Sequence, residues 1–316
     1  MKLQTKIPLQ PQSHHQIDYD SRILLIGSCF SENIGGKFEY YKFQTSVNPL
    51  GILFNPFAIE NLISRAINLE YYQDNELINA NDSWVCLDAH SSLNTTKKSD
   101  LIVRLNTALD ATHQKLKTVS HVIITLGTSW VYRFLQTDKI VANCHKIPQK
   151  QFIKELLNVD SITECLQAIV ALIKAENSRV NILFTVSPVR HLKNGFVENM
   201  RSKAHLIAAV HNCVAPRERI NYFPSYELMM DELRDYRFYE PDMIHPNDLG
   251  LDYIWEKFKA TWILKDAEDT LKSVGEIQKK LAHKPFNKSS QSYLNFSNKL
   301  AEEITKLEKK YPNISF

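Results

Sequence analysis

An α/β fold with a mainly parallel sheet and helices on both faces is predicted by three observations. Short apolar runs recur at wide intervals along the chain, segments of helical periodicity lie between them, and most of the runs break at Gly, Ser or Pro. Strand and helix in alternation imply βαβ units, whose crossovers cover the two faces of a parallel sheet.

The elements follow in order. Residues 22–26 form a first buried strand, which stops at Gly27, with Ser28 and Cys29 opening a helix. A second strand is expected near 43–47, a helix over 56–69 and a short β excursion near 83–87. A helix over 100–117 leads to a strand at 121–126, whose Ile, Val and Leu content marks it as buried. The pattern repeats with a helix at 161–177, a strand at 180–186, a helix at 197–214 and a strand at 219–223. After Pro246 comes a helix over 247–263 that carries Trp255, Phe258 and Trp262 on its apolar positions. From Lys265 onward Lys and Glu rise, and a loop at 284–287 separates two helical stretches. The last, 289–310, spaces Leu294, Phe296, Leu300, Ile304 and Leu307 for one face. The chain therefore divides into an α/β domain over 1–264 and a helical extension over 265–316. The extension reads either as a docked helix pair or as an arm through which copies of the chain associate.

Composition narrows the class of partner. The hydrophobic fraction of 44% and charged fraction of 23% are those of a soluble globular protein. A net charge of only +3 argues against nucleic acid as the main partner. Residues 1–16 lack the apolar stretch of a secretory signal, and no run reaches the roughly 18 apolar residues that span a bilayer. The five cysteines are odd in number, scattered and without a Cys-x-x-Cys pair, which fits reduced thiols in the cytoplasm. Cys144 and His145 are adjacent but have no second ligand pair at zinc-finger spacing, so neither a metal nor another cofactor is expected.

Two stretches carry candidate chemistry. The first is Gly27-Ser28-Cys29, which puts two nucleophilic side chains at the carboxyl end of a strand, where ligands of open α/β sheets bind. The second is Asp242-Met243-Ile244-His245, flanked by Pro241 and Pro246, between the last strand and the final helix of the α/β domain. An Asp three residues before a His is able to fix the imidazole tautomer and support the imidazolium, the two services that a nucleophile's base requires. Arg190 and His191 follow the strand at 180–186 and would reach a carboxylate, phosphate or sugar hydroxyl, or else pair with a surface acid. His90 and His145 lie in polar loops on either side of the 121–126 strand, and Trp130 and Tyr132 alternate along an extended segment as a stacking wall or as core.

Taken together these blocks resemble the SGNH (GDSL-type) hydrolase superfamily. More narrowly, Gly27-Ser28-Cys29-Phe30 resembles the motif that names the GSCFA family, and further blocks agree: Asn48-Pro49-Leu50-Gly51, Leu126-Gly127-Thr128-Ser129-Trp130, Ser187-Pro188-Val189-Arg190-His191, and the stretch from Asp231 to Tyr239. The resemblance implies a three-layer α/β/α, flavodoxin-like domain and chemistry on ester or acyl groups. In register with the superfamily's Gly-Asp-Ser-Leu block, Cys29 stands at the serine nucleophile and Ser28 at the Asp. Cys29 as nucleophile, Cys29 as a small buried residue of the turn, and Ser28 as nucleophile or helix cap all remain open. The thiol is expected to be activated by the helix N-terminus and by His245. The resemblance also implies oxyanion donors from the nucleophile's N–H, from Gly51 and from the third block. There Gly127-Thr128-Ser129 lacks the superfamily's Asn, so a hydroxyl of Ser129 or Thr128 would replace it. Gly51 is equally a plain turn glycine.

The leading expectation is an esterase or O-acyltransferase acting on a small-molecule or carbohydrate acyl substrate. Cys29 or Ser28 attacks, His245 serves as base and then acid, and Asp242 orients it. The alternative is a non-catalytic module that binds a carbohydrate or acyl ligand through Arg190, Trp130 and the helix that follows Gly27.

Overall fold

In a computed structural model the described residues are 5–287 and 289–316; residues 1–4, part of the polar stretch considered above, and Lys288 lie outside them. In chain order the elements are β1 (Arg22–Gly27), α1 (Cys29–Tyr40), β2 (Gln44–Val47), α2 (Pro56–Asn68), β3 (Leu77–Ala80), β4 (Ser83–Cys86), α3 (Lys98–Thr118), β5 (His121–Leu126), β6 (Trp130–Phe134), β7 (Lys139–Val141), β8 (Phe152–Leu156), α4 (Val159–Glu176), β9 (Asn181–Val186), α5 (Phe196–Cys213), β10 (Ile220–Phe223), α6 (Ser225–Glu227), α7 (Asp248–Trp262), α8 (Glu268–Ala282) and α9 (Gln291–Lys310). The expected strand near residue 43 and the β excursion near 83 are both present, as β2 and as the β3–β4 hairpin.

The central sheet has the order β2–β1–β5–β9–β10, and every pairing in it is parallel. Leu25 aligns with Val47 on one side and with Ile123 on the other, and Ile123 aligns in turn with Leu183. The chain leaves β1 for β2 at one edge and then crosses to β5 on the other side. The carboxyl ends of β1 and β5 therefore form the crevice in which this sheet order binds ligands.

Successive strand residues point to opposite faces, and β1 shows why the fold has three layers. Leu24 and Ile26 enter a core with Ile59 and Leu62 of α2, Leu105 and Leu109 of α3, Leu166 of α4 and Leu206 of α5. Ile23 and Leu25 enter a second core with Phe30 and Phe38 of α1, Trp255 and Phe258 of α7, Leu271 and Val274 of α8, and Leu300 and Leu307 of α9. Each such aliphatic side chain contributes about 1.5–3 kcal/mol when fully buried. The helices beyond residue 264 pack on the α1 layer: Gln278 Nε2 donates to Tyr40 O at 2.9 Å, and Asn313 Nδ2 donates to Tyr19 O at 2.7 Å. Among the described residues no helix is long and apolar enough to cross a membrane.

One further sheet, β7–β6–β8, is antiparallel and stands outside the main layers. Its strands are short and partly exposed, so they lack the continuous apolar runs that marked the parallel strands.

Candidate active site

β1 ends where only glycine fits. Gly27 has φ +142°, and a Cβ there would lie 2.1 Å from Thr125 O. This close approach lets Ser28 N–H donate to Thr125 O at 3.0 Å and starts α1 directly over the sheet edge. Ser28 is the N-cap: it is fully buried and its Oγ accepts from Phe30 N–H at 3.3 Å. Cys29, the first residue of the helix, is only partly buried. Of the two neighbours, the helix cap occupies Ser28 and the thiol is the one with access to solvent.

The thiol is not a preformed thiolate. Burial and the Glu32 carboxylate push the Cys29 thiol pKa up, against the lowering pull of Lys203 and of the Phe30 and Cys29 amides. This corrects the expectation of a thiol activated by the helix N-terminus and by His245: desolvation outweighs the amides, and the lowering charge is that of Lys203. Among the described residues no hydrogen bond joins Cys29 to His245.

His245 is held by its own loop. Tyr239 and Pro246 form an isolated antiparallel bridge at the loop's base, and Glu240 N–H donates to His245 O at 2.8 Å. Asp242 Oδ1 accepts from the N–H groups of Ile244 and His245, and its Oδ2 is 2.7 Å from His245 Nδ1. The imidazole and the carboxylate are each a little under half exposed, at 44% and 45%. Hydrogen bonding from His245 draws the Asp242 carboxyl down to about 2. The pair leaves Nε2 open for a proton.

Arg190 ties this loop to the sheet. Its N–H donates to Ile244 O at 3.4 Å, and its guanidinium donates to Tyr239 OH at 3.0 Å while lying 5.0 Å from the centre of that ring. Its guanidinium is thus engaged by a tyrosine at the loop base and by no surface acid among the described residues. His191 packs edge-on against Phe54, with ring centres 5.4 Å apart, and its Nε2 is buried without a hydrogen-bond partner. Burial, then the charges of Lys203 and His245, lower its pKa to about 3 and keep it neutral.

The expected oxyanion donors are otherwise engaged. Gly51, at φ +73°, donates its N–H to Asn48 O at 2.8 Å, and a Cβ would strike His90, so it is a turn glycine. It borders a polar groove of about 320 Å³ lined by Glu32, Glu39, Asn48 and Ser92. Gly127 N–H and Thr128 N–H both donate to Phe54 O. Ser129 is fully buried; its N–H donates to Ser202 Oγ at 2.8 Å and its Oγ to Ser202 O at 3.1 Å. The third block thus docks the sheet edge onto α5, and the roles expected of Gly51 and Ser129 are corrected accordingly. His145 is a brace, with Nε2 on the carbonyls of Cys86 and Ala89. Trp130 Nε1 donates to Glu198 O, and Lys154 covers the ring at 4.7 Å.

Sequence reasoning missed Lys203. It is 1% exposed, and its Nζ donates to Gly127 O and Ser187 O, each at 2.7 Å. A signal existed: α5 buries Asn199, Ser202, Lys203, Leu206 and Val210, so helical periodicity places this lysine on the buried stripe. Burial lowers its pKa to about 7, with Cys29 acting to raise it.

The molecule is thus a three-layer α/β/α protein with a thiol, a His–Asp pair and a buried lysine gathered toward the carboxyl ends of its parallel strands. The chain belongs to the GSCFA family, whose profile matches residues 22–258; that of the GSCFA domain protein, C-terminal domain, matches residues 274–316. No curated protein matches the sequence. Among solved structures it is similar to an acetyl esterase, a serine-to-alanine mutant with acetate ion, at TM-score 0.37 and 10% identity over 81% of this chain and 99% of that one. It is also similar to a carbohydrate esterase family 3 from Talaromyces cellulolyticus, at TM-score 0.36 and 9% identity with the same coverage.

Proposed function

We propose that the protein is an acyl-transfer enzyme, an esterase or O-acyltransferase with Cys29 as nucleophile. The observation that carries this reading is the Asp242–His245 pair, closed at 2.7 Å on the Nδ1 side and open at Nε2, in a loop tied by Arg190 to the sheet edge that also bears Cys29. His245 Nε2 takes the thiol proton as sulfur attacks an acyl carbonyl, and returns it to the departing oxygen; Asp242 supports the imidazolium between these steps. Water, or a hydroxyl acceptor, then releases the acyl group from sulfur with His245 again as base. A thiol whose proton is held tightly suits this sequence, because the base is needed at the moment of attack. The substrate class is an O-acylated small molecule, with acylated carbohydrate as the first to try.

The test is substitution. Cys29→Ala and His245→Ala should each abolish turnover of a short-chain aryl ester or thioester; full activity in either folded variant sinks the reading. The engagement of Gly51 and Ser129 favours one competing reading, a non-catalytic module that binds a carbohydrate or acyl ligand. It predicts no turnover and no His245-dependent labelling of Cys29 by low-dose iodoacetamide near neutral pH.

A further inference from the structure

Two buried polar groups have no part in the steps above, and both lie against Gly127 at the end of β5. Lys203 donates to Gly127 O and Ser187 O, and among the described residues no carboxylate pairs with it. His191 Nε2 lies 3.3 Å from where a Cβ on Gly127 would stand, buried and without a partner. A buried ammonium without an anion is unfavourable, and so is a buried ring nitrogen without a hydrogen bond. A negative charge formed between them relieves both. Cys29 stands at the neighbouring strand end: Ser28 N–H donates to Thr125 O, two residues before Gly127, and the thiol and His191 both respond to the charge of Lys203.

We propose that Lys203 and His191 hold the oxyanion that develops when Cys29 attacks an acyl carbonyl, replacing the donors expected from Gly51 and Ser129. The proposal rests on the acyl-transfer reading. As the S–C bond forms, the carbonyl π pair moves to oxygen and the thiol proton moves to His245. The oxyanion accepts from Lys203 Nζ–H and His191 Nε2–H, which keep their protons. On collapse the C–O bond to the leaving group breaks, and that oxygen takes the proton from His245. A neutral imidazole suits the task, because it donates without adding a second positive charge beside Lys203, and burial with Lys203 keeps His191 neutral. A buried amine beside a forming anion regains proton affinity at the moment the anion appears.

Two measurements on the full-length protein test this. Lys203→Met and His191→Phe should each lower kcat for an aryl acetate by roughly 100-fold or more, with KM changed by less than about threefold, the pattern of a lost oxyanion donor. Independently of turnover, the ratio of Cys29 alkylation by iodoacetate to that by iodoacetamide should fall about tenfold in Lys203→Met, as the positive field that favours an anionic reagent is lost. Wild-type kcat in both folded variants, or an unchanged alkylation ratio in Lys203→Met, overturns the assignment. If those variants stay active while Cys29→Ala and His245→Ala do not, only the oxyanion assignment fails. A wild-type protein that turns over no ester overturns the acyl-transfer reading and this one together. Methionine matches the length of the lysine stem but leaves two carbonyls without this donor; should that variant not fold, the kinetics of His191→Phe decide.

Discussion

Asp242 and His245 are oriented by a single turn: one carboxylate accepts the imidazole Nδ1 at 2.7 Å and the backbone amides of Ile244 and His245 at 2.8 and 3.0 Å. The tautomer of the candidate base is therefore set locally, and the rest of the fold has only to aim the loop.

Replacing the carboxylate should test that division. Asp242→Asn should lower kcat by about 10³–10⁴-fold, since the amide favours the wrong imidazole tautomer. Its pH behaviour has a definite sign. The folded pKa is depressed, to about 2, so the ionised carboxylate persists far below its ordinary range and is lost only as pH falls toward that value. An acid limb in the pH–rate profile above pH 4 then belongs to another group. Steady-state profiles of the wild type decide, and an acid limb that disappears only in Asp242→Asn would contradict the assignment.

The two neighbours at the start of α1 separate by stability against activity. Ser28→Ala removes a helix cap and should cost about 1 kcal/mol of stability, with kcat within about threefold of wild type. Denaturant unfolding and ester turnover on the same preparation check both halves. Loss of turnover in Ser28→Ala, with retention in Cys29→Ala, moves the nucleophile to Ser28.

Lys203 makes a prediction about stability and pH. Its folded pKa, about 7, lies below the ordinary lysine value of 10.5. Between these values the unfolded chain binds more protons than the folded one, so this group makes stability rise with pH across that window. Lys203→Met removes the slope. Relative to wild type the variant should be most stable near pH 6 and lose ground toward pH 10, as read from urea midpoints at both, with the two carbonyls that lose their donor adding a cost that does not depend on pH. A difference independent of pH would mean that the ammonium is not destabilised by burial.

Arg190 distinguishes a clamp from a ligand-binding residue. Arg190→Met breaks the contact with Tyr239 but keeps the backbone bond to Ile244. Loosening the His245 loop should lower kcat about 10- to 100-fold on a neutral ester, with KM little changed. A rise in KM confined to anionic esters would instead assign Arg190 to substrate.

The parallel strands were legible because burial on both faces forces unbroken apolar runs, as in β1, β5 and β9. Of the strands β6–β8 only an extended segment at Trp130 and Tyr132 was legible, because each is short and only partly buried, which leaves no continuous apolar run. At the site, Gly27, Cys29, Asp242 and His245 stood out through residue type and spacing. Ser129 misled because a hydroxyl aimed at Ser202 and one aimed at a cleft look the same in sequence. Lys203 escaped notice because lysine is read as solvent-facing unless helical phase is given more weight than charge.

The docking of the C-terminal helices has a consequence for biosynthesis. The far end of the helix that begins with Cys29 is met by α8, where Gln278 reaches Tyr40, and Tyr19, just before β1, waits for Asn313, 294 residues later. At ribosomal rates of about 5–20 residues per second that interval is roughly 15–60 s. Throughout it the nascent chain carries an α1 layer whose outer helices are unfinished. The layer on the α1 side is therefore completed only after Asn313 is made, and a ribosome stalled between α7 and α9 would hold a polypeptide that has its full set of site residues but an unfinished outer layer on that side.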